Sequence, residues 1–139
     1  ELIEHLFSPK EFLIACARSL RRRGLLILTT PNVQGFDITT LGKTSDHLAG
    51  PNHLNYFHPQ SLKLLAEACG FKVLEVTTPG KLDAEVVRNK VLAKKFTLIH
   101  QPFLRQILID RWSELGGQFQ QFLRRHTLSS HMWLVAMKQ

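Results

Sequence analysis

Cysteine is scarce in this chain: Cys16 and Cys69 are the only two. Both fall among apolar neighbours, so a disulfide-stapled extracellular scaffold is not expected, and a reducing, cytoplasmic setting is the natural reading. Long apolar runs are missing as well. Leu25 to Leu28 and Trp133 to Met137 are strand-sized, against the roughly 20 residues a membrane-crossing helix needs, so no stable membrane insertion is expected. The first residues, Glu1-Leu2-Ile3-Glu4-His5, are acidic where a secretory leader would be basic. Acid is in short supply overall, with 11 Asp and Glu against 18 Lys and Arg, a formal charge of +7. The positive residues form three short runs, Arg21-Arg22-Arg23, Lys94-Lys95 and Arg124-Arg125. Each lies beside an expected helix end, where cations oppose the negative pole of the helix dipole. No nucleic-acid-reading motif accompanies them, so no nucleic-acid partner is expected.

What is present suffices for one globular domain: 44% of the 139 residues are hydrophobic. Ser8-Pro9-Lys10-Glu11 has the form of a helix start, with Ser8 as cap, proline at the first helical position and Glu11 at the capping-box position. Phe12, Leu13, Cys16, Ala17 and Leu20 then recur at helical spacing up to Gly24. Leu25 to Thr30 is a continuous apolar and β-branched run, the pattern of a strand buried on both faces. From Asn32 to Pro59 no period is sustained, which predicts a long loop, and loops of that length are usually functional. A second helix is expected from Pro59 to Gly70, then a strand over Phe71 to Thr78 that stops at Pro79-Gly80. Ala84 to about His126 reads as a helical insert, interrupted at Gln101-Pro102 and broken or kinked at Gly116-Gly117. A last strand covers His131 to Met137. Alternation of this kind predicts an α/β layered domain.

Four segments resemble the back half of class I S-adenosylmethionine (SAM)-dependent methyltransferases: Glu1-Leu2-Ile3-Glu4-His5-Leu6, Leu20 to Gly24, Leu26 to Asn32, and Gly70-Phe71 with its strand. The segments Gly50-Pro51-Asn52-His53-Leu54-Asn55-Tyr56-Phe57 and Thr78-Pro79-Gly80-Lys81-Leu82-Asp83 are most similar to the ubiquinone-biosynthesis-type branch and its bacterial saccharide-modifying relatives. The resemblance covers residues 1 to 83 and 129 to 139. It implies a partial Rossmann-like methyltransferase sheet with flanking helices, in which the three strands correspond to the fifth, sixth and seventh of the family, the last inserted antiparallel between the other two. Residues 1–139 would then be the C-terminal part of a single methyltransferase domain with a helical insert at about 84–126. The glycine-rich loop that grips SAM, and the acidic residue that binds its ribose, have no counterpart here, so the chain is expected to bind SAM weakly by itself. Where the family has a basic residue, proline and two glycines before its fifth strand, this chain has Arg22-Arg23-Gly24-Leu25, and one glycine should still permit the turn.

The resemblance also implies roles. Glu1 and His5 lie where the family meets its cofactor; the alternative is an exposed, charge-stabilised pair at a helix start. His53, with Asn55, Tyr56 and Phe57, resembles the acceptor-side loop, His53 being a candidate base because an imidazole can take a proton near neutral pH. Equally, Tyr56 and Phe57 could staple the following helix while His53 bonds to backbone. Asn32 follows the first strand directly, where open α/β sheets place ligand contacts, or else it caps a turn. Asp46, His47, His53 and His58 match no zinc spacing, and no metal is expected. The expected activity is methyl transfer to a small-molecule or saccharide acceptor, through oxygen. A non-catalytic module that forms a homo-oligomer through the insert is the alternative.

Overall fold

The computed structural model describes residues 1–48 and 53–139; Gly50, Pro51 and Asn52 of the acceptor-side motif lie outside the described residues. Three strands form the sheet among these residues: β1 (Leu25–Pro31), β2 (Phe71–Thr77) and β3 (His131–Lys138), in the order β1-β3-β2. β3 runs antiparallel to both neighbours, so β1 and β2 are parallel and end at the same edge. Leu134 pairs with Leu28 on one side and Val76 on the other. This is the inserted antiparallel arrangement that the resemblance implies.

Helices α1 (Pro9–Ser19) and α3 (Pro59–Ala68) start and stop close to where their signals stand. They pack Leu13, Leu62 and Ala66 against Met132, Leu134 and Ala136 of β3, together with Leu26 and Leu28 of β1. Gly70 takes φ +89 just beyond α3, a conformation that glycine adopts without a side-chain clash. At the start of α1, Ser8 makes no side-chain capping bond, contrary to its sequence signature. β1 also departs from expectation. Strand period two turns Leu26, Leu28 and Thr30 inward but leaves Leu25 and Ile27 55% and 62% exposed, so only one face of β1 is buried here. The turn before it is made by Arg23 rather than Gly24: Arg23 sits at φ 65. Gly24 instead permits a close approach, because a Cβ there would lie 2.8 Å from the Arg21 carbonyl oxygen.

The expected loop after β1 contains a helix, α2 (Phe36–Leu41), followed by short 3-10 turns at Gly42–Thr44 and Asp46–Leu48. A six-residue helix offers too few turns for an apolar period to register, and tertiary packing decides it. The insert comprises α4 (Asp83–Leu92), α5 (Pro102–Arg105), a π turn (Gln106–Asp110) and α6 (Trp112–Arg125). It builds a second core from Leu41, Val87, Leu98, Leu108 and Leu123. Gly116-Gly117 does not break α6. The Trp112 ring folds back over Gly116, where a Cβ would sit 2.4 Å from a ring carbon, and the Arg88 guanidinium lies over that ring 5.1 Å from its centre. Gly116 is therefore a packing residue in a continuous helix.

The two glycines should respond with opposite signs. Gly117 faces open space, so Gly117→Ala should raise stability by about 0.5–1 kcal/mol through the better helix former. Gly116→Ala should instead lower it by roughly 1–3 kcal/mol, because the methyl overpacks against Trp112. Urea unfolding of both variants tests this, and a stabilised Gly116→Ala would contradict the packing role.

Candidate active site

Because β1 and β2 are parallel, their carboxyl ends share one edge of the sheet, the edge at which open α/β sheets bind ligands. A cavity of about 540 Å³ opens there. Pro31, Pro79, Leu82, Val86 and Trp133 supply its apolar wall, and Glu1, Asp37, His47, Lys81, Asp83, Arg124 and His131 its polar groups.

Two buried side chains hold this edge in shape. Asn32 donates from Nδ2 to the carbonyls of Ser129 (3.0 Å) and Thr127 (3.3 Å) and accepts from the Gln34 amide at 3.1 Å. Asp83 accepts from the Ser129 hydroxyl, the Ser130 hydroxyl and the Ser130 amide, each at 2.6 Å, and from the Gln120 side-chain amide. Burial pushes the Asp83 carboxyl up, but the bonds from Ser129, Ser130 and Gln120 outweigh it and hold the group below the usual 3.8. Asp83 thus stays ionised and ties the start of α4 to the start of β3.

Asp37 is the opposite case. Gly35 approaches Ser130 so closely that a Cβ would lie 2.3 Å from the Ser130 Cα, and this carries the first turn of α2 into the cavity wall. Asp37 is 1% exposed, and neither carboxylate oxygen has a hydrogen-bond partner. Ser130 lies nearby, but its one hydroxyl proton goes to Asp83. His47 Nε2 stands 3.6 Å from Asp37 Oδ2. Burial raises the Asp37 carboxyl above its usual range and the charge of Asp83 raises it further, against a smaller lowering by Ser130 and His47.

A second cluster forms beside it. The Glu4 carboxylate, also buried, accepts from Thr30 Oγ1 at 2.9 Å through Oε2, while Oε1 makes no hydrogen bond and lies 3.7 Å from His5 Nε2. His53 packs edge-on to His5, with ring centres 4.8 Å apart, and its Nδ1 is bonded to the His47 carbonyl at 2.9 Å. One ligand atom each from Glu4, His5 and His53 falls within 4.8 Å of the others. That donor set could hold a divalent cation, and a backbone carbonyl on Nδ1 is how proteins orient a ligating imidazole. The four residues weighed for metal in the sequence do not converge: Asp46 pairs with Lys90, His47 faces Asp37, and His58 caps α3 with Ser61.

The remaining sequence candidates divide between the cavity and the scaffold. Glu1 lines the cavity, its Oε1 3.3 Å from His131 Nδ1, and His131 Nε2 accepts from the Trp133 indole at 2.7 Å. Tyr56 is half-exposed beside His53. Asn55 donates to the Leu6 carbonyl at 2.6 Å, clamping its loop to the first residues. Phe57 is buried with Leu62 in the main core, so its ring is not open to a ligand. Asn32 is fully enclosed by its bonds to backbone. Sequence reasoning missed Asp37, Asp83 and the role of Glu4. An acid set among Phe36, Ile38 and Leu41 was the only sign of Asp37.

Strand order and the flanking helices define an α/β domain with a cavity at the carboxyl ends of its parallel strands. Residues 1–76, more than half of the 139, match the profile of the methyltransferase-domain family, and the chain belongs to that family, whose cofactor is SAM. A search of curated proteins by sequence finds no match. Among solved structures the chain is similar to a SAM-dependent methyltransferase from Archaeoglobus fulgidus, at 17% identity and TM-score 0.56, over 99% of this chain and 56% of that one. It is also similar to the cyclase SpnF, at 13% identity and TM-score 0.50, over 99% of this chain and 47% of that one. At such identities the likeness concerns the fold, and the chain spans about half the length of each structure.

The two buried aspartates should separate in mutants. Asp83→Ala leaves four donors without their acceptor and should cost at least about 3 kcal/mol near neutral pH. Because the folded carboxyl is depressed, its contribution is complete above the unfolded value near 3.8 and is lost as pH falls through the folded one. Asp37 is raised, so ionising it opposes folding as pH climbs past its folded value. Asp37→Asn should therefore raise the melting temperature at pH 8 and change it little at pH 3. A loss at pH 8 would show that Asp37 has a stabilising partner after all.

Proposed function

We propose that this chain forms the acceptor side of a SAM-dependent methyltransferase that places the methyl group on an oxygen of a small molecule or saccharide. The observation that carries the reading is the cavity at the carboxyl ends of the parallel strands, walled by apolar groups and floored by a buried, unpartnered carboxylate beside an imidazole. Methyl transfer from a sulfonium is an in-line displacement, so the protein chiefly aligns the two reactants, excludes water and receives a proton. When bound, SAM supplies the electrophilic methyl group. In this proposal Glu1 and His5 border the cofactor, and His53 and Tyr56 face the acceptor. Asn32, Asn55 and Phe57 support the acceptor side by fixing the backbone that carries it. His53 is the proton acceptor singled out by sequence, and Asp37 with His47 is a second group placed for that task.

Calorimetric titration of SAM and of its demethylated product, S-adenosylhomocysteine, into this chain and into a form that also carries a glycine-rich loop half of the fold tests the reading. Both ligands should bind the longer form at least about a hundredfold more tightly. Binding by neither form would sink the methyltransferase reading and favour an interaction module. The specific observation behind that alternative is the pair Ile99 and Phe103 on the insert, 72% and 71% exposed, which would bury apolar area against a second copy.

A further inference from the structure

Asp37 is the one carboxylate among the described residues whose two oxygens are both buried without a hydrogen-bond partner. A buried acceptor left unpaired is costly, more so when charged, and folded chains rarely keep one without use. Three features bear on that use. Asp37 is one of the residues that line the cavity at the strand ends. Its neighbour Asp83 is saturated by donors from Ser129, Ser130 and Gln120, so the one donor near both acids is already taken. His47 stands 3.6 Å away with its own side chain 43% exposed, giving a path from the buried carboxyl to solvent. His53 differs on two of these counts: it is not part of the cavity wall, and its Nδ1 is held by the His47 carbonyl.

We propose that Asp37, paired with His47, is the group that receives the acceptor's proton, so that the acceptor presents a hydroxyl to the floor of this cavity with an apolar body against Pro31, Leu82 and Trp133. The reaction side of this statement rests on the methyl-transfer reading; the recognition side does not. In the step, the acceptor's O–H bond breaks and its proton passes to the Asp37–His47 pair. The oxygen lone pair forms the new O–CH3 bond, the bond from that carbon to the sulfonium sulfur breaks, and its electron pair stays on sulfur. The proton then leaves through His47. The charged and titratable groups facing Asp37 are Asp83, which discourages its ionisation, and His47, which favours it. The 3.6 Å spacing is longer than a hydrogen bond, and a small rotation of the imidazole would bring the two groups into bonding range.

The test compares 2-naphthol with its methyl ether, 2-methoxynaphthalene, as probes of the 139-residue chain, with binding followed by NMR titration. The two share an apolar body and differ by the hydroxyl proton. A charge-assisted hydrogen bond to Asp37 should favour naphthol about tenfold or more. Asp37→Asn, which removes the charge but keeps an acceptor oxygen, should cut that preference severalfold, and His47→Gln should reduce it. Equal affinities in the parent chain, or a preference undiminished by Asp37→Asn, would overturn the proposal, as would one that moves only with His53→Gln. If Asp37→Asn fails to fold, His47→Gln decides, and an unchanged preference there overturns it too. Naphthol discrimination in a protein whose longer form binds no SAM would remove the methyl-transfer reading and leave a hydroxyl-recognising site.

Discussion

The carboxylate of Asp83 is the constraint on which the rest of the molecule depends. Four hydrogen bonds converge on it, three from Ser129 and Ser130 at the entrance to the central strand and one from Gln120 in the last helix of the insert. Such bonds are directional, whereas apolar contacts are not and by themselves fix no single arrangement. With them, the start of α4, the middle of α6 and the start of β3 are fixed to one point. Everything that lines the cavity is placed relative to that point, including α2, whose Gly35 lies against Ser130. A buried charge is costly unless fully satisfied. Here it is satisfied entirely by groups with no charge of their own, so ionisation persists and the geometry of the four donors is enforced.

Asp37 shows what the same environment does to a carboxylate left unpaired. It is as buried as Asp83, yet the Ser130 hydroxyl serves the other acid. One aspartate is held low and the other pushed up, within the reach of a single serine. Their surroundings thus drive the two carboxyl groups in opposite directions. Glu4 repeats the theme on a smaller scale, with one oxygen bonded to Thr30 and the other turned toward His5. The unpaired Asp37 and the half-satisfied Glu4 thus each lie beside an imidazole, His47 and His5 respectively.

Much of the fold was legible before any coordinates. The helix starts at Pro9 and Pro59, the stop at Gly70 and all three strands follow from capping residues, proline and glycine positions and the period of apolar residues. The resemblance added the antiparallel insertion of the last strand. The failures share a cause. Gly116-Gly117 reads as a break because glycine is a poor helix former, but the Trp112 ring covers Gly116. Arg23 rather than glycine takes the left-handed turn residue before β1. The helix over Phe36–Leu41 is too short to leave a periodic trace. In each case a tertiary contact outweighs a local preference worth about 1 kcal/mol or less.

The site was less legible than the fold. The sequence singled out Glu1, His5, His53 and Tyr56 only through the resemblance, and of these Glu1 lines the cavity while the other three group together outside its wall. It could not say that Asn32, Asn55 and Phe57 spend their side chains on backbone and core, nor that Asp37 lies unpaired beside His47. Whether a polar side chain is paired depends on groups far away in the chain: Asp83 meets Ser129 and Ser130, 46 and 47 positions on, and Asn32 meets Ser129, 97 positions on. Local periodicity determines elements because their hydrogen bonds and buried faces repeat within a few residues. Hydrogen-bond satisfaction and burial of a single acid are set by long-range packing, so only the tertiary structure decided which carboxylate is fully paired and which is left without a hydrogen bond.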